Sequence, residues 1–416
     1  MDSRKKIILQ PEYVKYFVCD GSSCEDNCCQ GMWVIYVDEK HYKKIKKVHN
    51  NELKERIDKY IRRNRSNATS QNYGIIHQDK EIKQCVFLTE DRLCDMQMKL
   101  GADYLCNTCM VYPRHISIID GKYERSLTMS CPIAAKDTLF NPQPMAFEQF
   151  EDIHELRTGV HNPILHTEGQ GLENKLQKYF WDIRIFSIGL LQNRNYSLED
   201  RLIILGIVYK KIEELNENKR LSEIPSMLAS MIETVEADFF KEELEKINPN
   251  YQIQFQMTKA MVDRRAVQGL TSERYLECLT ETLLGIGHIE GEEIENIIKK
   301  YEESYKKYYM PYMKEKEYIL ENYLVNEYFK ELMPFGYYKT IWEAYTFLCT
   351  LYSMVKLHLI GIAGFNKGLN DDLTLKLIQS LSKEATHNRY YIQGVVGAIK
   401  DSGYDSLAYM SILLKN

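Results

Sequence analysis

Nine of the eleven cysteines in this 416-residue chain lie between positions 19 and 131: Cys19, Cys24, Cys28, Cys29, Cys85, Cys94, Cys106, Cys109 and Cys131. The other two, Cys278 and Cys349, are scattered through the remainder. A core that uses cysteine only as a small apolar residue does not concentrate it this way. Thiols separated by zero, two, three or four residues on short loops can converge on one soft metal ion or one iron–sulfur cluster. The spacing therefore predicts a metal or cluster site in the first third of the chain. Nine candidates exceed the four ligands of one centre, so either two centres exist or some thiols are catalytic, structural or supporting. Cys106-x2-Cys109 has the usual spacing of a metal loop, whereas the adjacent pair Cys28-Cys29 does not suit a zinc knuckle. Spacing leaves iron–sulfur and zinc both open.

Disulfides compete with metal ligation only in an oxidising compartment. The N-terminal stretch MDSRKKIILQ has a three-residue apolar run, too short for a secretory signal, so a cytoplasmic setting is expected. The apolar run AYTFLCTLYSMV is too short to cross a bilayer as a helix and reads as a buried segment. Fifty-four basic residues stand against 59 acidic ones, which gives no global reason to expect nucleic acid. Neither nucleic acid nor membrane is expected as a partner, and oligomeric state is not legible.

Residues 1–18 read as a lead-in interrupted by Pro11. MWVIYV reads as a strand, Asp38 as the N-cap of a lysine-rich helix, and residues 51–66 as a further helix. ISIIDGKYERSLTM is a β-hairpin turning at Asp120-Gly121, and its arms should bring Cys109 and Cys131 together. FNPQPMAFEQF reads as a linker. From about residue 172 the pattern is helical, with caps at Ser197 and at Thr271-Ser272 and a helix near 339–364 that is apolar nearly all round. The expected fold class is mainly α. Residues 1–135 form a cysteine-rich metal or iron–sulfur domain with a short hairpin, and residues 136–416 form a helical-bundle body.

CEDNCCQGMWVIYVD, the C-x8-C pair at Cys85 and Cys94, LCNTC-x3-PR and ERSLTMSCP together resemble the flagellin lysine N-methylase (FliB-type) family. More broadly they are similar to cysteine-rich zinc- or iron-chelating domains. SLSKEATHNRYY resembles that family's late histidine-containing helix. The resemblance implies methyl transfer from S-adenosylmethionine to lysines of flagellin, with a cysteine-bound iron–sulfur cluster, [4Fe–4S] in type, as cofactor. It brings His387 forward as a catalytic base, and Tyr390 as an aromatic partner among candidates that include Tyr337, Tyr338 and Tyr391.

Neither common donor-binding pattern is present. Gly169-x-Gly171 and Gly285-x-Gly287 lack the strand–turn–helix context of a Rossmann fold. Cys24-x3-Cys28 begins a radical-type C-x3-C-x2-C, but Gly31 stands third. Arg114, and less strongly Arg125, are candidates to hold the donor's carboxylate or to offset thiolate charge. The small cysteine domain leaves little room for a donor, so a cleft against the helical body, reached by Arg114 from one side and His387 or Tyr390 from the other, is expected. Two other readings remain: a zinc-stabilised protein-binding module without chemistry, and a cluster-based redox protein.

Overall fold

Residues 6 to 11 open the chain with a strand that finds its main partner about 140 positions later. This computed structural model describes residues 6–31, 33–79, 81, 83–152, 156–158, 162–267, 269–386 and 389–416, with side chains throughout except at 386, 389, 390 and 392. The chain divides into two units, Met1–Asp137 with Phe147–Pro163, and Thr138–Ala146 with Ile164–Asn416.

The first unit contains β1 (Lys6–Pro11), β2 (Ile35–Val37), α1 (Glu39–Lys46), α2 (Asn51–Tyr60), β3 (Ile61–Arg63), β4 (Gly74–Ile76), α3 (Asp95–Leu100), α4 (Asn107–Val111), β5 (Arg114–Ile119), β6 (Lys122–Leu127), most of α5 (Pro132–Leu139) and β7 (Phe147–Asp152). Four strands are ordered β7-β1-β6-β5. β1 runs antiparallel to β7, from Lys6 opposite Asp152 to Pro11 opposite Phe147, and parallel to β6. β5 and β6 form the expected hairpin, with positive φ at both Asp120 and Gly121, as a type I′ turn requires. A second sheet runs β2-β4-β3.

Three expectations are corrected here. The lead-in is partly a strand. The linker read at 140–150 ends in β7, which belongs to the first unit. The helix expected over 51–66 stops at Tyr60, because Ile61–Arg63 pair with Gly74–Ile76 and bury Ile61.

The second unit contains α6 (Phe180–Leu191), α7 (Leu198–Glu217), α8 (Ile224–Glu236), α9 (Lys241–Glu245), α10 (Tyr251–Val267), α11 (Glu273–Gly285), α12 (Ile294–Ser304), α13 (Met310–Lys316), α14 (Tyr318–Lys330), α15 (Ile341–Asn366), α16 (Asp371–Leu381), α17 (Arg389–Asp401) and α18 (Leu407–Leu414). Among the described residues from 166 onward there is no strand, so the chain is mainly helical and this unit has no Rossmann sheet. Side-chain caps fix the helix starts: Ser197 accepts from the N–H of Asp200, Ser272 from Tyr275 and Thr340 from Glu343. α15 is long and apolar enough to span a bilayer, yet its apolar stretch is wholly buried among the surrounding helices. α11 crosses it closely at Gly285 and Gly361, where either glycine's missing Cβ would collide with the other helix's backbone.

Ion pairs are buried in this apolar bundle. Glu199 lies 2.7 Å from Lys356 and accepts from the Tyr352 hydroxyl at 2.6 Å. Arg201 bridges Glu321 at 2.8 Å and Glu317 at 2.5 Å. Such pairs persist because leaving either charge alone in the core would cost several kcal/mol. Two π-helical turns, Tyr305–Tyr309 and Ser382–Thr386, interrupt the helices.

The candidate thiol site and the cavity beside it

The nine clustered cysteines fall into two groups. Cys85 and Cys106 are buried in one hydrophobic cluster with Ile35, Val37, Leu53, Ile57 and Phe87, and Cys29, Cys94 and Cys109 pack against it. Cys85 is the hub: its N–H donates to the Cys29 carbonyl at 2.7 Å, and its thiol meets that of Cys29, which also meets Cys28. Cys94, Cys106 and Cys109 all lie within electrostatic reach of Cys85. The second group is Cys19, Cys24 and Cys131, with Cys28 on its border. The expected union of Cys109 and Cys131 is therefore not the main arrangement. Cys109 sits inside α4, facing Cys106, while Cys131 begins α5 on the side of Cys24.

The thiols titrate as hydrogen-bonded sets. Contacts with Cys28 and Cys85, followed by burial, push Cys29 far up, and the bond from Cys29 lowers Cys85. Cys106 is lowered by its bond from Cys109, which is raised by the same bond and by burial. Burial pushes Cys131 up to about 12.

Backbone N–H groups are aimed at many of these sulfurs. Cys19 accepts from Gly21 at 3.4 Å. Cys24 accepts from Asp26, Cys85 from Phe87, Cys94 from Gln97 and Met96, Cys106 from Cys109, and Cys131 from Ala134 and Ile133. Donors of this kind stabilise thiolates and tune the sulfurs of iron–sulfur clusters. In donor chemistry the residues suit such a group. Among the described residues, however, no three His, Cys, Asp or Glu side chains close on a common point as the ligands of one metal ion do. The thiols face one another in contacts with Cys85 at the centre.

The sequence signal for the cation beside these thiols lay elsewhere. Arg56, on α2, pairs with Asp95, donates to the Val86 carbonyl at 3.3 Å and acts electrostatically on Cys85. Arg114 stacks over Phe17, 5.1 Å from the ring centre, and its thiol neighbour is Cys19 of the second group. Arg125 donates to Gln10 at 2.7 Å and lies over Phe150, bracing β6 to β1 and β7. His387 lies outside the described residues, and Tyr390 is placed only as a backbone position in α17. Three residues before His387, Glu384 is buried and accepts from Arg265, from Thr271 N–H at 2.8 Å and Oγ1 at 2.7 Å, and from Ser272 N–H. Tyr391 is core packing, its hydroxyl donating to the Met261 carbonyl at 2.8 Å.

Next to the first thiol group the same unit holds a cavity of about 510 Å³, whose lining includes Asp38, Lys40, His41, Ser70, Gln71, Asn107, Arg157 and Thr158. Ser70 and Gln71 from one irregular segment and residues 156–158 from another border this space, a pairing that local sequence does not reveal. Asp38 is the keystone. Its Oδ1 accepts from His41 N–H at 3.1 Å and lies 2.7 Å from His41 Nδ1, while its Oδ2 accepts from Asn107 N–H at 3.0 Å. One carboxylate thus caps α1 and ties it to the start of α4, directly after Cys106. Burial alone would raise its pKa, but these donors hold it below the usual carboxylate value.

Residues 184–413 match the family model described as the FliB lysine N-methylase C-terminal domain. Proteins named lysine-N-methylase from Salmonella choleraesuis (strain SC-B67) and Salmonella typhimurium (strain LT2) are each 25% identical over 283 residues, covering 66% of this chain and 67% of theirs. The flagellar biosynthetic protein FliU of Salmonella muenchen is 32% identical over 140 residues, 33% of this chain and 80% of FliU. No solved structure matches. With more than half of its length matched by that family model, the chain belongs to the FliB lysine N-methylase family.

Proposed function

We propose that the chain is a cytoplasmic protein-lysine N-methyltransferase that moves methyl groups from S-adenosylmethionine to lysines of flagellin, and that its cysteines carry an iron–sulfur cluster. The observation that carries this reading is the pairing, in one chain, of a FliB-type helical unit with a buried thiol set supplied with N–H donors. The flagellar name of one relative supports flagellin as substrate.

A lysine ε-amine attacks a methyl sulfonium only after losing its proton, so the site needs a base or a desolvated pocket. His387 is the proposed base and Tyr390 the proposed aromatic face for the methylated cation. The cluster ligands are drawn from the set around Cys85, namely Cys28, Cys29, Cys85, Cys94, Cys106 and Cys109. Such a cluster would supply electron-transfer or Lewis-acid chemistry at a thiolate-rich centre. Arg56 offsets thiolate charge in the first group, and Arg114 does so beside Cys19.

The test is purification without oxygen, analysis of iron, zinc and acid-labile sulfide, and a methyl-transfer assay on co-expressed flagellin. Iron with sulfide and methylated lysine are expected. Stoichiometric zinc without labile sulfide would remove the cluster, and unmodified flagellin would remove the transferase reading.

A further inference from the structure

The first unit carries a local excess of positive charge. Residues 38–65 hold eleven lysines and arginines against five acids, in a chain whose net charge is -5. On α1 the cations are ordered. Lys40, Lys43, Lys44 and Lys47 follow one another at i, i+3, i+4 and i+7, so they share one side of the helix, away from the buried His41 and Ile45. Tyr73 ties this stripe to β3, for Lys43 Nζ lies 6.0 Å and the Arg63 guanidinium 3.2 Å from its ring centre. Lys40 and Lys43 also line the cavity, together with Arg157 and the uncharged Ser70, Asn107 and Thr158.

Carbonyl contacts fix two of these cations without cancelling their charge: Lys44 donates to Asp103 O at 3.1 Å, and Arg157 to Leu105 O at 3.1 Å. Glu39, 2.8 Å from Lys43, and Asp103, 3.9 Å from Arg157, offset part of the excess. Both oxygens of Asp38 are already taken by His41 and Asn107. Such a face fits carboxylates. We propose that it docks an acidic stretch of the protein substrate, with one carboxylate entering the cavity beside Arg157 and others lying along Lys40, Lys44 and Lys47. The proposal rests on the lysine methyltransferase reading above and adds where the substrate is held.

Two observations favour an acidic peptide over other anions. The stripe runs on from the cavity for about two helical turns, or ~10 Å, whereas a single small anion would meet only the cavity end. The rings on this face are already covered: Tyr104 by Lys44 at 4.2 Å, Tyr73 by Arg63 and Lys43, and Tyr42 by the edge-on contact with Tyr73. Binding of single-stranded nucleic acid relies on open rings on which bases stack.

The experiment is fluorescence anisotropy on the anaerobically purified full chain, with a fluorescein-labelled peptide of alternating glutamate and glycine around one central lysine. Wild type should bind it, less tightly as sodium chloride is raised, and should not bind the same peptide with glutamine for glutamate. Lys40→Glu with Lys47→Glu, both exposed, should weaken binding by about fivefold or more, as should Arg157→Ala. Lys40→Ala with Lys47→Ala should lose less, and Lys246→Glu, on the second unit, should match wild type. Circular dichroism should show the fold kept. In methyl transfer, the Lys40→Glu, Lys47→Glu variant should raise KM for flagellin and keep both kcat and KM for S-adenosylmethionine. Wild-type peptide affinity and flagellin KM in both that variant and Arg157→Ala would overturn the docking face and leave the transferase reading standing. Peptide binding that depends on these residues, in a chain that leaves flagellin unmethylated, would keep the face as an acidic-peptide site and remove the transferase reading. Tighter binding of oligouridylate than of the peptide, lost in the same variants, would make this a nucleic-acid face and overturn the proposal. So would displacement of the peptide by inorganic phosphate at equal concentration, which would make it a small-anion site.

Discussion

Cys85 and Cys29 are joined twice, by a 2.7 Å bond from the Cys85 N–H to the Cys29 carbonyl and by contact between their thiols. The bond aligns two segments more than fifty residues apart in sequence, and the remaining thiols of the group gather around Cys85. With the proposed cluster on these thiols, Cys85→Ser and Cys106→Ser should lose iron and loosen the first unit, because cluster binding would be coupled to folding of its loops. Cys131→Ser, in the second group, should retain most of the iron. Iron-to-protein ratios on anaerobic samples check this, and equal loss in all three variants would mean that the two groups act as one.

Asp38→Ala removes a helix cap and leaves His41 Nδ1 and the Asn107 N–H without their acceptor. A lost cap costs about 1 kcal/mol and a buried unmet donor about 1–3 kcal/mol. Destabilisation of about 2–4 kcal/mol is expected in urea unfolding of the first unit, with Asp38→Asn intermediate.

Glu199 and Lys356 give the bundle a defined pH response. Burial would raise the Glu199 carboxyl, but Lys356 and the Tyr352 hydroxyl hold it at about 2. Its folded pKa lies below the unfolded value near 4.3, so its contribution is complete above that pH and fades as pH falls toward 2. Lys356 works in the opposite sense. Burial lowers its ammonium despite Glu199, so keeping it charged at neutral pH has a cost and the pair's net contribution is smaller than Glu199 alone suggests. Wild-type melting should fall more steeply than that of Glu199→Gln between about pH 5 and 3. Lys356→Met should cost about 3–5 kcal/mol by stranding Glu199, and Lys356→Met with Glu199→Leu should recover much of it.

The α11–α15 crossing leaves no room at its glycines. Gly361→Ala would press a methyl group against the Thr282 backbone. A loss of about 1–3 kcal/mol or more in chemical denaturation is expected. Gly397→Ala, where a Cβ meets nothing, should be neutral or slightly stabilising.

The helices were legible because their signals are local: Ser197 and Ser272 cap just where the apolar periodicity begins, and Asp120-Gly121 can hardly turn in another way. The β1–β7 pair was not, since each partner is six residues long and one reads as a lead-in and the other as a linker. The concentration of cysteines was plain, but their division into two groups depends on how α4 and α5 leave the hairpin.

The most direct test of lysine methylation by this chain is mass spectrometry of flagellin co-expressed with it, using methyl-labelled S-adenosylmethionine in the purified reaction. Labelled methyl groups on lysine ε-nitrogens with wild type, and none with Cys85→Ser, are the predicted result. Flagellin left unlabelled by iron-loaded, folded wild-type protein would contradict the account.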